Sequence, residues 1–300
     1  MLARRMLAGF AMVIVVVGGL LWQAAGFCFF SATAAAAAIL VGTRAALVLL
    51  SFVVAWWFGR GRPVKGRIGI AHTGSLMVRE LIATLRTFFV LHPLEPWLAG
   101  TPEPVRDEAP VVLVHGFFSN AGYWRWAKQF LAARGISNVH TLNLEPPFGD
   151  IDGYLTQLAK RIEALESRAG PVVLIGHSMG GLVCRALLER GWHAGRIASV
   201  ITLGTPHHGT LEAWFMTGTN VRQMRPGSDW LERLNRGKAP PVPIVSIYSY
   251  HDNIVVPHTA AILDGAKNLP VRGIGHLEMG FSDVVMDLVH SEILAAQLNC

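Results

Sequence analysis

The sequence has few charged residues and few cysteines. Charged side chains make up 15% of its 300 residues, against about 25% in an average soluble protein, whereas hydrophobic residues make up 52%. This composition excludes a disordered chain and indicates that part of the protein lies in lipid. The three cysteines, Cys28, Cys184 and Cys300, do not have the spacing of a disulfide framework, so we expect three free thiols.

Acidic residues are absent from the first 70 positions, which carry seven basic ones. Most of these basic residues flank a long apolar region at its two ends. At about 1.5 Å per residue, the stretches 6–30 and 35–58 are each long enough to cross a hydrocarbon core of ~30 Å, although Arg44 interrupts the second. We therefore predict that residues 1–60 form a membrane anchor, a transmembrane helical hairpin.

The basic flanks also predict an orientation, because positively charged flanks stay on the cytoplasmic side of a membrane. Two spans place the rest of the chain on the cytoplasmic side of a bacterial inner membrane, whereas a single span places it outside. A cleaved signal peptide over residues 1–25 is the alternative for the first stretch. We disfavour that alternative because a second long apolar segment follows at once.

Residues 61–109 have the composition of a basic, amphipathic and proline-rich connector. Apolar residues at helical spacing over Leu76–Val90 predict an amphipathic helix that lies on the bilayer surface. Repeated prolines then break regular structure, so a separate domain is expected over residues 110–300.

The domain over residues 110–300 alternates short apolar runs with helical patterns. We predict strands at 111–114, 139–144, 172–175, 198–203, 243–249 and 270–274, and helices at 122–134, 151–168, 179–191 and 281–298. This alternation is typical of the α/β class, with a mostly parallel central sheet and helices on both faces.

One segment of this domain has the pattern of a nucleophile motif. The sequence GHSMG at 176–180 is a G-x-S-x-G motif between a Val/Leu/Ile run and a predicted helix. The turn from such a strand into a helix is sharp, and its glycines leave room for neighbouring backbone. The pattern therefore predicts that Ser178 is a nucleophile whose hydroxyl stands clear of the sheet.

A serine needs a base, and in this architecture the acid and then the histidine follow the nucleophile along the chain. We predict that His276 is the base, because it lies in a glycine-rich loop after a predicted strand; His207 and His208 come before any suitable acid. Asp252, just past a predicted strand, is the expected acid that orients the imidazole. Asp264 is the alternative, which we interpret as a turn residue.

Acyl transfer places negative charge on a carbonyl oxygen, and two backbone N–H groups are expected to stabilise it. Met179, directly after the nucleophile, and Phe117, in the loop after the first strand, are the predicted oxyanion-hole donors. His177, Trp214 and Phe215 are predicted to contact the substrate. The segment between Thr210 and Pro243 follows no assignable pattern. Its apolar residues form either a partial cap over the site, which we favour, or part of its packing; they are Trp214, Phe215, Met216, Trp230 and Leu231.

Several segments, in one order, resemble the small bacterial lipases of the α/β-hydrolase superfamily. The matching segments are VVLVHGF at 111–117, LIGHSMGG at 174–181, ITLGTPHHGT at 201–210, SIYSYHDNIVVP at 246–257, LDGAKN at 263–268 and GIGHLEMGFSDVV at 273–285. The resemblance covers nearly two thirds of the chain. It implies the α/β-hydrolase fold, a triad of Ser178, Asp252 and His276, and an oxyanion hole at Phe117 and Met179. It implies nothing about the N-terminal third.

These observations predict a membrane-anchored serine hydrolase that cleaves carboxylic, lipid-like acyl esters through an acyl-enzyme intermediate. An acyltransferase or thioesterase with the same serine is the second hypothesis, and a non-catalytic membrane interaction protein with a relic site is the third. The scattered histidines and the lack of a phosphate-binding glycine loop predict no metal and no cofactor. The expected partners are the acyl ester or lipid substrate and the lipid bilayer, with no nucleic acid and no inferable protein partner.

Overall fold

The computed structural model describes residues 2–25, 28–59, 66–98, 109–165, 170–192, 194–237 and 240–298. The basic residues at positions 60–65, most of the proline-rich stretch before the predicted domain boundary, and Cys300 lie outside the described residues. Among the described residues, four α-helices precede the sheet: α1 Leu2–Ala25, α2 Phe29–Phe58, α3 Ile70–Leu85 and α4 His92–Leu98. A π-helical turn over Arg86–Leu91 joins α3 to α4.

A six-stranded parallel sheet forms the centre of the described chain. Its strands are β1 Val111–Val114, β2 Val139–Leu142, β3 Val172–His177, β4 Ile197–Leu203, β5 Ile244–Ser249 and β6 Lys267–Val271. Their order across the sheet is β2-β1-β3-β4-β5-β6, and every neighbouring pair runs parallel. The carboxyl ends of all six strands therefore meet at one edge, where the loops that follow them can assemble a site.

Helices cover both faces of the sheet, as the alternation predicted. They are α5 Arg125–Ala132, α6 Ile151–Glu163, α7 Met179–Glu189, α8 Thr219–Gln223, α9 Asp229–Arg236 and α10 Asp283–Leu298. Strand β1 shows why two layers are needed, because its side chains alternate between the faces. Val112 and Val114 pack with α6, α7 and α9, whereas Val111 and Leu113 pack with α5 and α10.

Strand β6 lies earlier in the chain than the predicted strand at 270–274. It spans Lys267–Val271 and pairs only with β5 at the edge of the sheet, a position where Pro270 is tolerated. Gly273 has a φ of 69°, a left-handed conformation that is incompatible with a strand. The strand predicted at 270–274 thus extended past the end of β6 and into the turn at Gly273.

The residues between Thr210 and Pro243, which followed no assignable pattern, form short helices. Two of the apolar side chains there, Trp230 and Leu231 on α9, are buried in the core layer that contains α6 and α7. Trp214 and Phe215, by contrast, are 56% and 75% exposed. The segment therefore contributes both to the core and to the surface.

Helix α2 is long and apolar enough to cross a membrane. Among the described residues, Phe30–Phe58 is the stretch that meets this criterion by length and composition; helices of this kind near an N-terminus serve as membrane anchors or as signal sequences. The hairpin of two spans stays a prediction. One stripe of α2 packs against the protein, with Val48 and Phe52 buried against Leu76 of α3 and the Arg44 guanidinium 4.5 Å from the Phe88 ring centroid.

Helix α3 coincides with most of the amphipathic helix predicted over Leu76–Val90. Its buried residues, among them Leu76, Glu80 and Ala83, contact α2 and the segment directly after His276, while Val78 and Ile82 on its other face are each 57% exposed. The helix predicted as a surface element thus lies between the apolar N-terminal helices and the domain built on the sheet.

Candidate active site

Ser178 lies at the sharp turn between β3 and α7. Its φ of 54° and ψ of −125° are unusual for a residue with a side chain, and backbone strain of this kind is concentrated at functional sites. The motif glycines permit the turn, because a Cβ at Gly176 would clash with the backbone of Gly181 and one at Gly180 with the carbonyl of Val114. The glycines of the local sequence therefore allow Ser178 to adopt this conformation at the carboxyl edge of the sheet.

Asp252 and His276 form a buried pair at the same edge. The distance from His276 Nδ1 to Asp252 Oδ2 is 2.9 Å, and both side chains are almost completely buried. The other carboxylate oxygen, Oδ1, accepts the N–H groups of Ile254 and Val255, each at 2.8 Å. These two bonds fix the carboxylate, which in turn fixes the orientation and the Nδ1–H tautomer of the imidazole.

The surroundings of His276 favour its charged form. Burial opposes the charge, but the negative charge of Asp252 and its hydrogen bond, followed by the charge of Glu80, outweigh it and raise the pKa of His276 above its ordinary value. An imidazole in such a setting accepts a proton readily, and the neighbouring negative charges stabilise its protonated form.

His177 connects the serine turn to the His276 loop. Its Nε2 lies 3.0 Å from the carbonyl oxygen of His276, and the two rings are 4.6 Å apart. Burial, together with the charge of His276, keeps the pKa of His177 well below its ordinary value, so its ring is neutral and donates this hydrogen bond. The structure thus places His177, predicted to contact the substrate, in a buried position behind His276.

The predicted oxyanion loop lies directly against Ser178. A Cβ at Gly116 would lie 2.9 Å from the Cβ of Ser178, so the backbone just before Phe117 is in contact with the serine. His115 holds this loop, since its Nδ1–H donates to the Gly116 carbonyl and its Nε2 accepts the N–H of Leu144. Met179 is the first residue of α7, where backbone N–H groups have no partner within the helix.

The other candidates for base and acid have different surroundings. His207 is fully buried; its Nδ1 accepts from Arg185 at 3.2 Å and its Nε2 donates to Thr202 Oγ1 at 3.2 Å. Burial and the adjacent Arg185 charge keep its pKa well below the ordinary value. Asp264 is exposed, next to Gly265 with a φ of 76°, which is the turn environment expected for it.

Replacing His207 by alanine is expected to lower stability rather than catalysis. His207→Ala leaves the buried guanidinium of Arg185 without one of its partners, which should reduce the free energy of unfolding by about 1–3 kcal/mol. Thermal unfolding and labelling of the folded protein by a fluorophosphonate probe measure the two effects. His208→Ala is the matched control, because His208 is exposed and should change neither. Loss of labelling in folded His207→Ala would instead identify His207 as the base.

Two polar side chains at the site were not predicted from the sequence. Asn253 Oδ1 accepts the N–H of His276 at 3.1 Å, and the Glu80 carboxylate accepts the N–H groups of Leu277 and Glu278 at 3.0 and 2.9 Å. A signal for Glu80 exists, since it is the first acidic residue of the chain and lies on the apolar face of its helix. An acid at such a position usually has a specific buried partner.

Aromatic side chains line the surface beside the oxyanion loop. The ring centroids of Phe117, Phe118 and Phe148 lie 5.6–6.1 Å apart. Phe148 is 48% exposed, and its carbonyl accepts the N–H of Thr219, which connects it to the segment that carries Trp214. The sequence did not identify this aromatic cluster beside the oxyanion loop.

The described residues do not form the ligand set of a metal centre. Within the part of the chain that the structure describes, no three His, Cys, Asp or Glu side chains are grouped as the ligands of a metal ion would be. That the protein needs no cofactor stays a prediction.

The profile of the Alpha/beta hydrolase family matches residues 111–280, more than half of the chain. The chain belongs to the alpha/beta hydrolase family. The matched region contains Ser178, Asp252 and His276, whereas Glu80 and the apolar N-terminal helices lie before it. The N-terminal third of the chain therefore lies outside the region that the family profile matches.

Curated relatives of the chain are similar over part of their length. Triacylglycerol lipase 2 of Saccharomyces cerevisiae is 36% identical over 99 residues, 29% of this chain and 28% of the relative. A triacylglycerol lipase of Pseudarthrobacter phenanthrenivorans is 35% identical over 117 residues, 36% of each chain. The chain thus spans about a third of the length of the curated relatives that it matches.

Solved structures support the fold. The mature form of the Bacillus licheniformis lipase BlEst2 superposes with a TM-score of 0.55 at 19% identity, covering 65% of this chain and 94% of that one. A structure of the metagenome-derived lipolytic enzymes LipS and LipT superposes with a TM-score of 0.51 at 17% identity. It covers 65% of this chain and 96% of that one. At these identities the likeness is one of fold.

Proposed function

We propose that this protein is a carboxylic ester hydrolase that uses Ser178, His276 and Asp252 as a catalytic triad. The observation that carries the proposal is the buried 2.9 Å contact between His276 Nδ1 and Asp252 Oδ2, at the sheet edge where the strained Ser178 lies. Family membership and partial similarity to triacylglycerol lipases support the same reaction class.

In the proposed mechanism, Ser178 Oγ attacks the ester carbonyl while His276 Nε2 takes its proton. The N–H groups of Phe117 and Met179 stabilise the oxyanion. His276 then donates the proton to the leaving alcohol, which departs and leaves an acyl-serine. A water molecule, activated by His276, attacks this acyl-enzyme and releases the carboxylic acid together with free Ser178.

The substrate proposed for this site is a lipid-like acyl ester. The exposed aromatic residues Trp214, Phe215 and Phe148 provide an apolar surface of the kind that binds acyl chains. We place Trp214 and Phe215 in a partial cap over the site, and we assign His177 to the wall that supports His276 from behind.

A membrane location is proposed for the enzyme. The outer face of α2 exposes apolar side chains, among them Leu50 and Val53, and its C-terminal end exposes Trp56 and Trp57, the residues that favour a membrane interface. Helix α1 packs against α2, and a Cβ at Gly18 would lie 3.8 Å from the carbonyl oxygen of Ala32, a contact that two adjacent spans would make. We propose a two-span anchor over 1–60, a connector over 61–109 and a cytoplasmic catalytic domain over 110–300.

The function is tested with p-nitrophenyl esters of increasing acyl length and the purified full-length protein. We expect hydrolysis that is strongest with medium or long chains, together with labelling of the Ser178 peptide by a fluorophosphonate probe. Adding an alcohol separates hydrolysis from transfer, because a transferase would form a new ester. Absence of both hydrolysis and labelling, in detergent and across all chain lengths, would reject the proposal.

A further inference from the structure

The segment that carries His276 is held by a helix outside the family-matched region. Glu80, on α3, accepts the N–H of Leu277 on Oε1 at 3.0 Å and the N–H of Glu278 on Oε2 at 2.9 Å. The side chain of Glu80 is 1% exposed. Because water does not reach this contact, loss of the carboxylate would leave two buried N–H groups without a partner.

The two Glu80 hydrogen bonds replace a side-chain cap that His276 does not provide. His276 is the N-cap residue of the 3-10 turn Leu277–Phe281, and its side chain makes no capping hydrogen bond because its Nδ1 faces Asp252. The first N–H groups of such a turn have no partner within it. Glu80 supplies that partner from another helix, which leaves the imidazole available for chemistry.

Helix α3 packs closely against the histidine loop from Gly273 to Glu278. A Cβ at Gly275 would clash with the Glu80 carboxylate, and the N–H of Gly275 donates to Glu278 Oε2 at 3.1 Å. Arg79, next to Glu80 on α3, pairs with the Glu278 carboxylate and donates to the Gly273 carbonyl. Helix α3 therefore fixes the backbone on both sides of His276.

Helix α2 makes a second connection to the same histidine. Asn253 Oδ1 accepts the N–H of His276, and Asn253 Nδ2 donates to Ser51 Oγ at 2.8 Å. Ser51 lies on the buried stripe of α2 and donates its own proton to the Val48 carbonyl. Helix α3 thus bonds directly to the histidine loop, and α2 is connected to it through Asn253.

We propose that Glu80 is a positioning residue for His276, and that the helices before the hydrolase domain complete the active site by holding the histidine loop against it. This inference rests on the proposed function, since positioning matters only if His276 acts as the base. It assigns the N-terminal region a role in catalysis in addition to anchoring.

Electrostatics gives the proposal a measurable signature. Burial raises the pKa of Glu80 to about 7, against the opposing effect of its two backbone hydrogen bonds and of His276, and the charge of Glu80 in turn raises the pKa of His276. The other titratable groups around this pair are Asp252, His177, the Tyr123 hydroxyl, Glu278 and Arg79. Removing the charge of Glu80 should therefore lower the pKa of His276.

Glu80→Gln in the full-length protein is the test. The amide keeps the shape but presents an N–H₂ group to one of the two N–H donors, so the loop shifts. We expect kcat for a p-nitrophenyl ester to fall by about a hundredfold, the loss typical of a misplacement near 1 Å, with KM little changed. The acid limb of the kcat/KM profile should also move to lower pH, which a purely structural defect would not cause.

Thr84→Val is the matched control, because Thr84 is buried on the same helix and its hydroxyl bonds only to the Glu80 carbonyl. We expect parental kcat and an unmoved pH profile. If Glu80→Gln does not fold, Glu80→Asp decides: it keeps the charge but is too short for both N–H groups, so kcat should fall with the acid limb unmoved.

The outcomes separate this inference from the proposed function. A parental kcat and pH profile in Glu80→Gln would overturn the role of Glu80 while hydrolysis and Ser178 labelling remain intact. If Glu80→Gln does not fold, a parental kcat and pH profile in Glu80→Asp would overturn it in the same way. An equal fall of kcat in Thr84→Val would also overturn it, because any disturbance of α3 would then suffice. A parent protein without hydrolysis or labelling would reject the proposed function and this inference with it.

Discussion

Ser178→Ala is expected to abolish ester hydrolysis, lowering kcat by about a million-fold, the loss seen when the nucleophile of a serine-histidine-aspartate site is removed. The methyl group cannot form the acyl-enzyme, so only the oxyanion donors and substrate binding remain to accelerate the direct attack of water. Single-turnover and steady-state hydrolysis of a p-nitrophenyl ester, with the fluorophosphonate probe alongside, measure the loss.

The control for this variant is Ser291→Ala, on the exposed side of α10, where the hydroxyl bonds only to the Asp287 carbonyl. It should keep parental activity. The thermal unfolding of Ser178→Ala should match that of the parent, because the strained backbone of the turn is set by neighbouring glycines and not by the hydroxyl. Activity within about tenfold of the parent would mean that another group is the nucleophile.

The sequence predicted the parts of the fold and site that depend on local patterns. Strands β1, β3 and β4 were found because they are short, β-branched runs buried on both faces, the pattern of a parallel sheet. The pairing of Asp252 with His276 was anticipated because each residue follows a strand, and the carboxyl ends of parallel strands meet at one edge.

Long-range contacts were less accessible to sequence reasoning. Glu80 and Leu277 are far apart in the chain, and no local pattern encodes that α3 would pack on the loop after His276. Helical periodicity identified the amphipathic helix but not the partner of its buried face, because a membrane and a protein surface select the same spacing of apolar residues. Its acid Glu80, which the sequence reasoning did not use, is the residue that bonds to the protein on that face.

For Arg44, too, the sequence does not distinguish a membrane environment from a protein contact. In the sequence it interrupts an apolar stretch at a cost of about 2.5–3.5 kcal/mol for a membrane span. In the structure its guanidinium lies over the ring of Phe88, so the charge faces the protein and not the exposed apolar side of α2. A cation–π contact of this kind offsets part of that cost, and it brings α2 close to the aromatic cluster beside the oxyanion loop.

Asp252→Asn is expected to retain the fold and to lower kcat by about ten-thousand-fold, the effect of a wrong imidazole tautomer. The asparagine oxygen can still accept the N–H groups of Ile254 and Val255, which leaves the N–H₂ group facing His276 Nδ1. Nδ1 must then accept a hydrogen bond, the proton moves to Nε2, and Nε2 can no longer take the proton of Ser178.

Two measurements distinguish this account from a general loss of structure. KM and the unfolding temperature of Asp252→Asn should stay near the parental values, because the loop bonds are kept. Asp264→Asn, a change of the same chemistry at an exposed turn, should keep full activity. Parental turnover in Asp252→Asn would show that a different carboxylate orients His276, whereas loss in both variants would show that the activity is sensitive to charge on this side of the domain and not to the tautomer.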